Sequence, residues 1–250
     1  MRVLALFWFA AAFLRPFDLA PGLAHGKQDG ATELVGDTLD TWRKPTAGWM
    51  QAGEVSLDPA EPKKLSWKEG KGVVFNGKDG RTSNLFSAAD LKDVELHVEF
   101  MVSKGSNSGV YLMGRYEVQI LDSWGVKEPH YSDCGGIYQR WDPKREKGKE
   151  GYEGHPPKVN AAKAPGEWQT FDIVFRAPRF DAAGKKTANA LFVKVTHNGQ
   201  VVHENVEVTG TTRAGAWEDE KPEGPIMLQG DHGPVAFRSL RYRAIPSEGK

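Results

Sequence analysis

Cysteine is almost missing from this 250-residue chain. Cys134 stands alone, so no internal disulfide can form and the fold must rest on a well-sized core. No His or Asn spacing marks Cys134 as a nucleophile, and it reads as a buried small residue. An excess of one charge is also missing, with 33 Lys+Arg against 33 Asp+Glu. With no basic stripe interleaved with aromatics, the composition argues against a nucleic-acid partner. No apolar run is long enough to cross a bilayer. The longest, Val3 to Leu14, has 12 residues, against roughly 20 for a spanning helix. A long helical period is absent too.

What the chain does have begins with an N-terminal leader. Arg2, the apolar run and the small residues of Gly22-Leu23-Ala24 predict a signal peptide over residues 1–24. The mature protein is then exported, periplasmic or secreted, with no stable membrane insertion. No cysteine near the cleavage point suggests a lipid anchor. Residues 25–45 are polar and mixed, and are expected to lead into a single domain over residues 46–248.

That domain reads as β throughout. Val94, Leu96, Val98 and Phe100 alternate with Glu95, His97 and Glu99, which predicts a strand with the apolar set inward and the polar set in water. Phe171 to Arg176 and Leu191 to Val195 repeat the pattern. Asn198-Gly199 marks a two-residue hairpin turn, with His197 and His203 expected at the surface beside it. Short strands with frequent turn signals predict an antiparallel sandwich. An insertion at about 123–167 is rich in Gly, Pro, Lys and Glu. Insertions of this length are usually functional or disordered. Its first part, with Trp124, His130, Tyr131 and Tyr138, reads as an ordered wall, and residues 143–153 as a flexible outer lobe.

The run from Asn107 to Asp122 carries the chemistry. It reads as two strands joined by a Gly114-Arg115 turn. Side chains two apart share a face, so Val118 and Ile120 turn to the core and Glu117 and Gln119 away from it. Tyr111 and Met113 are expected on the face opposite Val110 and Leu112. A carboxylate, an amide and an aromatic ring thus share one surface, with Asp122 at the strand end. Such a surface suits a sugar or a metal ion.

Several segments in order, Asn107-Ser108-Gly109-Val110-Tyr111, Tyr116 to Asp122, Gly135-Gly136-Ile137-Tyr138, Pro165 to Gln169, Asn198-Gly199, Leu228 to Gly233 and Val235 to Leu240, resemble the 3-keto-glycoside lyase/hydratase family, also called 3-keto-disaccharide hydrolases. The resemblance covers about residues 46–245. It implies an all-β fold, a concanavalin A-like or laminin-G-like jelly-roll sandwich of two antiparallel sheets with a polar concave face. It also implies cleavage of glucosides already oxidised at C3. There the ketone acidifies the C2 hydrogen, a base removes it, the C1 substituent leaves, and water adds to the product. A divalent metal ion bridging the ketone and the C2 hydroxyl would act as a Lewis acid; no organic cofactor is implied. A sugar 3-dehydrogenase is the functional partner that would supply the ketone. Two departures stand out: Ser239 where the family commonly has Asn, and the long insertion.

On this reading Glu117, Asp122 and His232 are the catalytic candidates and also the metal-ligand candidates. Asn107, Tyr111, Gln119, Trp124, Tyr138, Gln229 and Arg238 are the substrate contacts, and Trp141 could stack on a ring. His130 and His155 are weaker metal candidates because no HxH or HxxxH spacing supports them. The plainer alternatives are a Glu117–Arg238 ion pair, which would leave Asp122 and His232 as the better catalytic choices, and a turn-capping role for Asp122. A non-catalytic carbohydrate-binding or adhesion module is the other functional class this fold admits. An ordinary two-carboxylate glycosidase is a third idea, against which stands the lack of a second clear carboxylate strand.

Overall fold

The computed structural model describes residues 30–46 and 48–246; the expected signal peptide lies outside them. The described residues form an all-β sandwich of antiparallel strands in a jelly-roll architecture. The larger sheet contains β1 (Thr32–Glu33), β2 (Met50–Leu57), β3 (Leu65–Phe75), β5 (Val94–Val102), β10 (Gln169–Arg176), β13 (Ala190–His197), β14 (Gln200–Val208) and β16 (Val235–Ala244). Its order is β14-β13-β10-β5-β16-β3-β2, with β1 added to β16. The smaller sheet contains β4 (Leu85–Leu91), β6 (Asn107–Leu112), β7 (Tyr116–Leu121) and β15 (Gly224–Leu228), in the order β4-β15-β6-β7. Two short hairpins pair β8 (Arg140–Trp141) with β9 (Gly151–Tyr152), and β11 (Arg179–Phe180) with β12 (Lys186–Ala188).

The core lies where the two sheets face each other. Val94, Leu96, Val98 and Phe100 of β5 and Phe171, Ile173 and Phe175 of β10 meet Val110, Leu112, Val118, Ile120, Ile226 and Leu228 of the smaller sheet. Burying each such side chain contributes about 1.5–3 kcal/mol. Cys134 is buried in the same cluster, and burial pushes its thiol up to about 12, so it stays protonated. A second, smaller apolar cluster, with Val55, Leu65, Phe75 and Met101, packs on the outer face at the β3–β2 end of the sheet.

The polar segment expected to lead into the domain is, from residue 30 on, part of the fold. Thr32 and Glu33 pair with Tyr242 and Arg241, and Leu34, Val35 and Trp42 join the core. Polar spacing concealed an edge strand too short to show a period. Ser239 donates its hydroxyl to Glu33 at 3.0 Å, so the residue that departs from the family pattern holds this same edge. The charged lobe at 143–153 is closed at its base by the β8–β9 pairing.

Three histidines stand where the sequence reading did not put them. His97, expected in water, is fully buried on the outer face of β5. Its Nδ1 lies 2.7 Å from Asp172 and its Nε2 3.7 Å from Glu99. Glu99 also accepts from Arg238 at 2.5 Å, and Glu95, likewise expected in water, is buried and pairs with Arg243. Alternation assigned these residues to the right face, but interlocking charged side chains seal that face from water. His97 holds Glu99 down to about 2, with Arg238 adding to the effect. Burial disfavours the imidazolium of His97, yet its bonds to Asp172 and Glu99 outweigh burial and raise its pKa.

His197 and His203, expected at the surface, are buried. His197 Nε2 is 3.0 Å from Gln169 Oε1, and His203 Nε2 donates to the Gly135 carbonyl at 2.8 Å. Burial lowers His197 to about 3 and His203 to about 4. A histidine held neutral in the native state binds more protons when unfolded, so its contribution is complete above the ordinary pKa of about 6.5 and is lost as pH falls toward the native value. His97 works in the opposite sense, losing its contribution as pH rises through its raised pKa. The urea midpoint is therefore expected to drop between pH 6.5 and pH 4.5. His203→Gln, which can keep a donor to Gly135, should flatten that drop; an unchanged pH slope would show that His203 is not one of the groups responsible.

Candidate active site on the smaller sheet

The β6–β7 hairpin builds the site. Its turn centres on Met113-Gly114, with φ of 58° and 65°, and Arg115 donates its N–H to the Leu112 carbonyl at 3.0 Å. Two successive left-handed residues make the turn type that follows the natural strand twist. The turn lies one residue earlier than the sequence suggested. Met113 consequently leaves the Tyr111 face and packs in the core.

This turn fixes the register, and the register fixes a row of side chains across the sheet. Phe86 is opposite Met227, Met227 opposite Tyr111, and Tyr111 opposite Glu117. Tyr138 extends the row by donating its N–H to the Glu117 carbonyl at 3.1 Å. In the next row, Gln229 donates its N–H to Gly109, Gly109 is opposite Gln119, and Gln119 donates its N–H to Gly136. Gly109 matters here for the space it leaves. A Cβ added to it would lie 2.2 Å from Glu117 Oε1 and 2.9 Å from the Tyr111 ring. The Glu117 carboxyl therefore lies over the bare backbone of Gly109, between the rows.

Glu117 is buried, and no ion pair to it occurs among the described residues. Burial raises its pKa to about 8, and the hydrogen bond with Tyr111 opposes that rise. Tyr111 is pushed well above its ordinary value, first by burial and then by the charge of Glu117. Tyr138 is raised as well, by burial and by Glu117. The Oε1 atoms of Gln119 and Gln229 are buried without a hydrogen-bond partner. An unpartnered buried acceptor is costly, so these two amides are suited to ligand hydroxyls. A buried carboxyl, a phenol donor and two waiting acceptors can transfer a proton and hold a polyol.

The walls come from loops. Arg115 donates to the Asp219 carbonyl at 2.5 Å and to its carboxylate at 2.8 Å, and its guanidinium lies 4.8 Å from the Trp217 ring centroid. Trp217 packs on Phe86 at the end of the row. On the other side Tyr131 meets Tyr138 edge-on at 5.6 Å.

The sequence profile of the 3-keto-alpha-glucoside-1,2-lyase-like domain family matches residues 30–243. The chain belongs to this family. Two solved structures from Parabacteroides distasonis ATCC 8503, each named a "putative glycosyl hydrolase", are similar to it. One is 24% identical with a TM-score of 0.59, over 86% of this chain and 84% of that one. The other is 22% identical with a TM-score of 0.52, over 87% and 100%. At these identities they show the shared fold. No curated protein matches the chain.

Within this family member, the structure brings Tyr111, Glu117, Gln119, Gln229 and Tyr138 together. Asn107 lies on the same face of β6, one row past Gly109 and at the strand start. The other candidates are held by contacts of their own. Arg238 is on the larger sheet, bonded to Glu99 and stacked 4.6 Å from the Trp168 ring centroid, so neither a contact with the site nor a pair with Glu117 is possible. Motif position in sequence does not reveal which sheet a strand joins. Asp122 accepts the Gly105 N–H at 2.8 Å, the turn-capping role. It is five residues beyond Glu117, roughly 16 Å along an extended strand at about 3.3 Å per residue. His232 is exposed and 2.6 Å from Asp231, and Trp124 is 63% exposed beyond the end of β7. His130 contacts Ser132, while His155 sits in a bridge with Ile137.

Asp122 is taken up by the Gly105 turn, and no group of three His, Cys, Asp or Glu suited to a metal occurs among the described residues. With Asp122 bonded to the Gly105 N–H and His232 to Asp231, this donor set is not assembled for a divalent cation. Sequence reasoning missed Gly109 and Met227 as parts of the floor. The signal was present in the pairing parity, because a residue opposite Gln119 must share its face. Gly109→Ala should cost about 1–3 kcal/mol through overpacking, read from the urea midpoint. An alanine variant of wild-type stability would mean that the carboxyl does not use this space.

Proposed function

We propose that this chain is an exported enzyme that cleaves 3-keto-glucosides, including 3-keto-disaccharides, by elimination and hydration, a net hydrolysis. Family membership sets the carbohydrate frame. The observation that carries the reading is Glu117, a buried carboxyl poised near neutrality, flanked by two unpartnered amide acceptors.

The steps are those the family resemblance implies, with Glu117 assigned as the base. With a ketone at C3, the C2 hydrogen is acidic. The ionised fraction of Glu117 takes that proton, and the C2–H electrons form the enolate. The neutral Tyr111 phenol hydrogen-bonds the Glu117 carboxyl and keeps it oriented. Collapse of the enolate expels the C1 substituent with the bonding pair, and its oxygen leaves as the alcohol after taking a proton. Water then adds across the C1–C2 double bond, hydroxyl to C1 and proton to C2, and releases the 3-keto sugar. Gln119 and Gln229 accept hydroxyls of the bound ring. No step is routed through a metal. The ketone would be supplied by an oxidation at C3, the class of reaction a sugar 3-dehydrogenase performs. Export rests on the leader at residues 1–24.

Product analysis with the purified mature domain tests this, using a 3-keto-glucoside against its unoxidised parent. Cleavage of the keto substrate alone is expected, and it should persist in chelator. Binding of sugar without turnover of either would instead make the chain a carbohydrate-binding module. Glu117→Gln should reduce kcat/KM by roughly 10²–10⁴-fold, the usual contribution of a positioned base, with the fold retained. Because a base acts when ionised, kcat/KM should rise through about pH 8 and then level. Tyr111→Phe removes the bond that lowers the Glu117 pKa, so the rise should move to higher pH; an unmoved profile would detach Tyr111 from this group.

A further inference from the structure

The site has two unlike sides. Gln119 and Gln229 lie two residues from Glu117 and Met227, on the side of the row away from the hairpin turn. Toward the turn stands Trp217. A Cβ on Gly114 would come within 2.6 Å of its ring, so the indole rests on the bare backbone of the turn. It also packs on Phe86, with ring centroids 5.7 Å apart, and Phe86 is half-buried at the end of the row. Gly114 is three residues beyond Tyr111, so Trp217 begins within about 10 Å of the Tyr111–Glu117 pair along the strand. A sugar ring whose hydroxyls reach the two amides therefore extends its C1 substituent across the row toward Trp217.

The indole is held on several sides, yet it is 39% exposed. The Ala216 N–H donates to the Gly114 carbonyl at 2.8 Å and anchors its loop. The Arg115 guanidinium lies 4.8 Å from the ring centroid. Its Nη1 donates to the Met113 carbonyl at 3.0 Å, and its Nε and Nη2 donate to Asp219. Each nitrogen of this cation is engaged with the protein, so it steadies the ring and the platform offers a flat apolar face. Aromatic rings gain from such a partner beyond the area they bury. Leaving-group chemistry favours the same partner. Besides Glu117, the acids brought together at the site are the Tyr111 and Tyr138 phenols, and both are raised by burial and by Glu117. They are weak proton donors to a departing oxygen. A phenol, with a pKa of about 10, leaves far more readily than an aliphatic alcohol, whose acidity is close to that of water at about 15.7.

We infer that Trp217 and Phe86 form a leaving-group platform, and that the preferred substrates within the proposed class are aryl 3-keto-glucosides whose aromatic ring stacks on the indole. The inference rests on Glu117 as the base. Glu117 takes the C2 proton, and the C2–H pair forms the enolate. Its collapse restores the C3 ketone, forms the C1–C2 double bond and expels aryloxide with the C1–O pair. The aryloxide takes the proton back from Glu117, and water adds as hydroxyl to C1 and hydrogen to C2. The test compares phenyl and methyl 3-keto-glucosides on the unaltered mature chain, on Trp217→Leu and on Phe86→Leu. The unaltered chain is expected to show a KM at least tenfold lower for the phenyl glycoside. The phenyl-to-methyl ratio of kcat/KM should fall at least tenfold in Trp217→Leu; intrinsic leaving-group reactivity is common to all three proteins and cancels in that comparison. Equal KM values, no turnover of the phenyl glycoside beside turnover of the methyl one, or a ratio that neither variant lowers overturns the platform. The KM comparison needs no variant, so it holds if a variant does not fold. Should the unaltered chain turn over neither keto substrate, the reading of Glu117 fails by itself. Calorimetric titration with phenyl and methyl glucoside then decides the platform: a tenfold preference for the phenyl glucoside that either variant removes supports it, and no binding, equal binding or a preference that survives both variants overturns it.

Discussion

Everything at the candidate site depends on one contact: the Glu117 carboxyl lies over Gly109, beside the Tyr111 ring. It exists because β6 and β7 pair with Tyr111 opposite Glu117 and Gly109 opposite Gln119. A slip of one residue would send Glu117 into the core and Val118 out. The Met113-Gly114 turn sets this register, and the buried Val118 and Ile120 lock it from behind. The same residues therefore hold the sandwich together and aim its chemistry. Removal of the carboxyl from solvent raises its pKa, and that burial is possible only where the neighbouring residue has no side chain.

The two faces treat charge in opposite ways. On the outer face of the larger sheet, Glu95, Glu99 and Asp172 alternate with His97, Arg238 and Arg243 in direct pairs. Each charge there meets its complement, so Glu99 stays ionised far into acid. On the outer face of the smaller sheet Glu117 has phenols and no cation beside it. Burial without a cation is the condition that raises a carboxylate toward neutrality. One face uses its charges to close a surface, and the other leaves a carboxyl in reserve.

Much of this was legible in the sequence. Alternation placed Val118 and Ile120 inward and Glu117 and Gln119 outward, and the ordered motifs pointed to the family. What alternation cannot report is whether an outward face is wet. His97 and Glu95 were assigned to the right side of β5 and to the wrong environment, because the arginines that cover them come from β16, almost 150 residues away. Arg238 was misplaced for the same reason: its motif neighbours the site residues in the family pattern, not in space. Asp122 and His232 looked equal to Glu117 on paper because sequence gives residue type and order but not depth. The short β1 was hidden because two residues show no period.

The floor of the site also bears on what kind of glycoside suits it. Hydrolysis of an unoxidised glycoside needs two carboxyls facing across the bond, about 5–5.5 Å apart for retention and about 6.5–9.5 Å for inversion. The row Phe86, Met227, Tyr111, Glu117 and Tyr138 offers a single carboxyl, and the neighbouring row offers amides. A ketone at C3 changes the demand. The first proton to be moved is then on carbon, one base can take it, and departure of the C1 substituent is driven by the enolate rather than by a second carboxylate on the opposite face. A lone carboxyl near pH 8 is a better match for that task than an ordinary carboxylate near 4, since a base with a pKa close to the working pH combines adequate ionisation with greater proton affinity. A deeply buried carboxyl backed by a phenol thus suits the proposed keto route better than the two-carboxylate route.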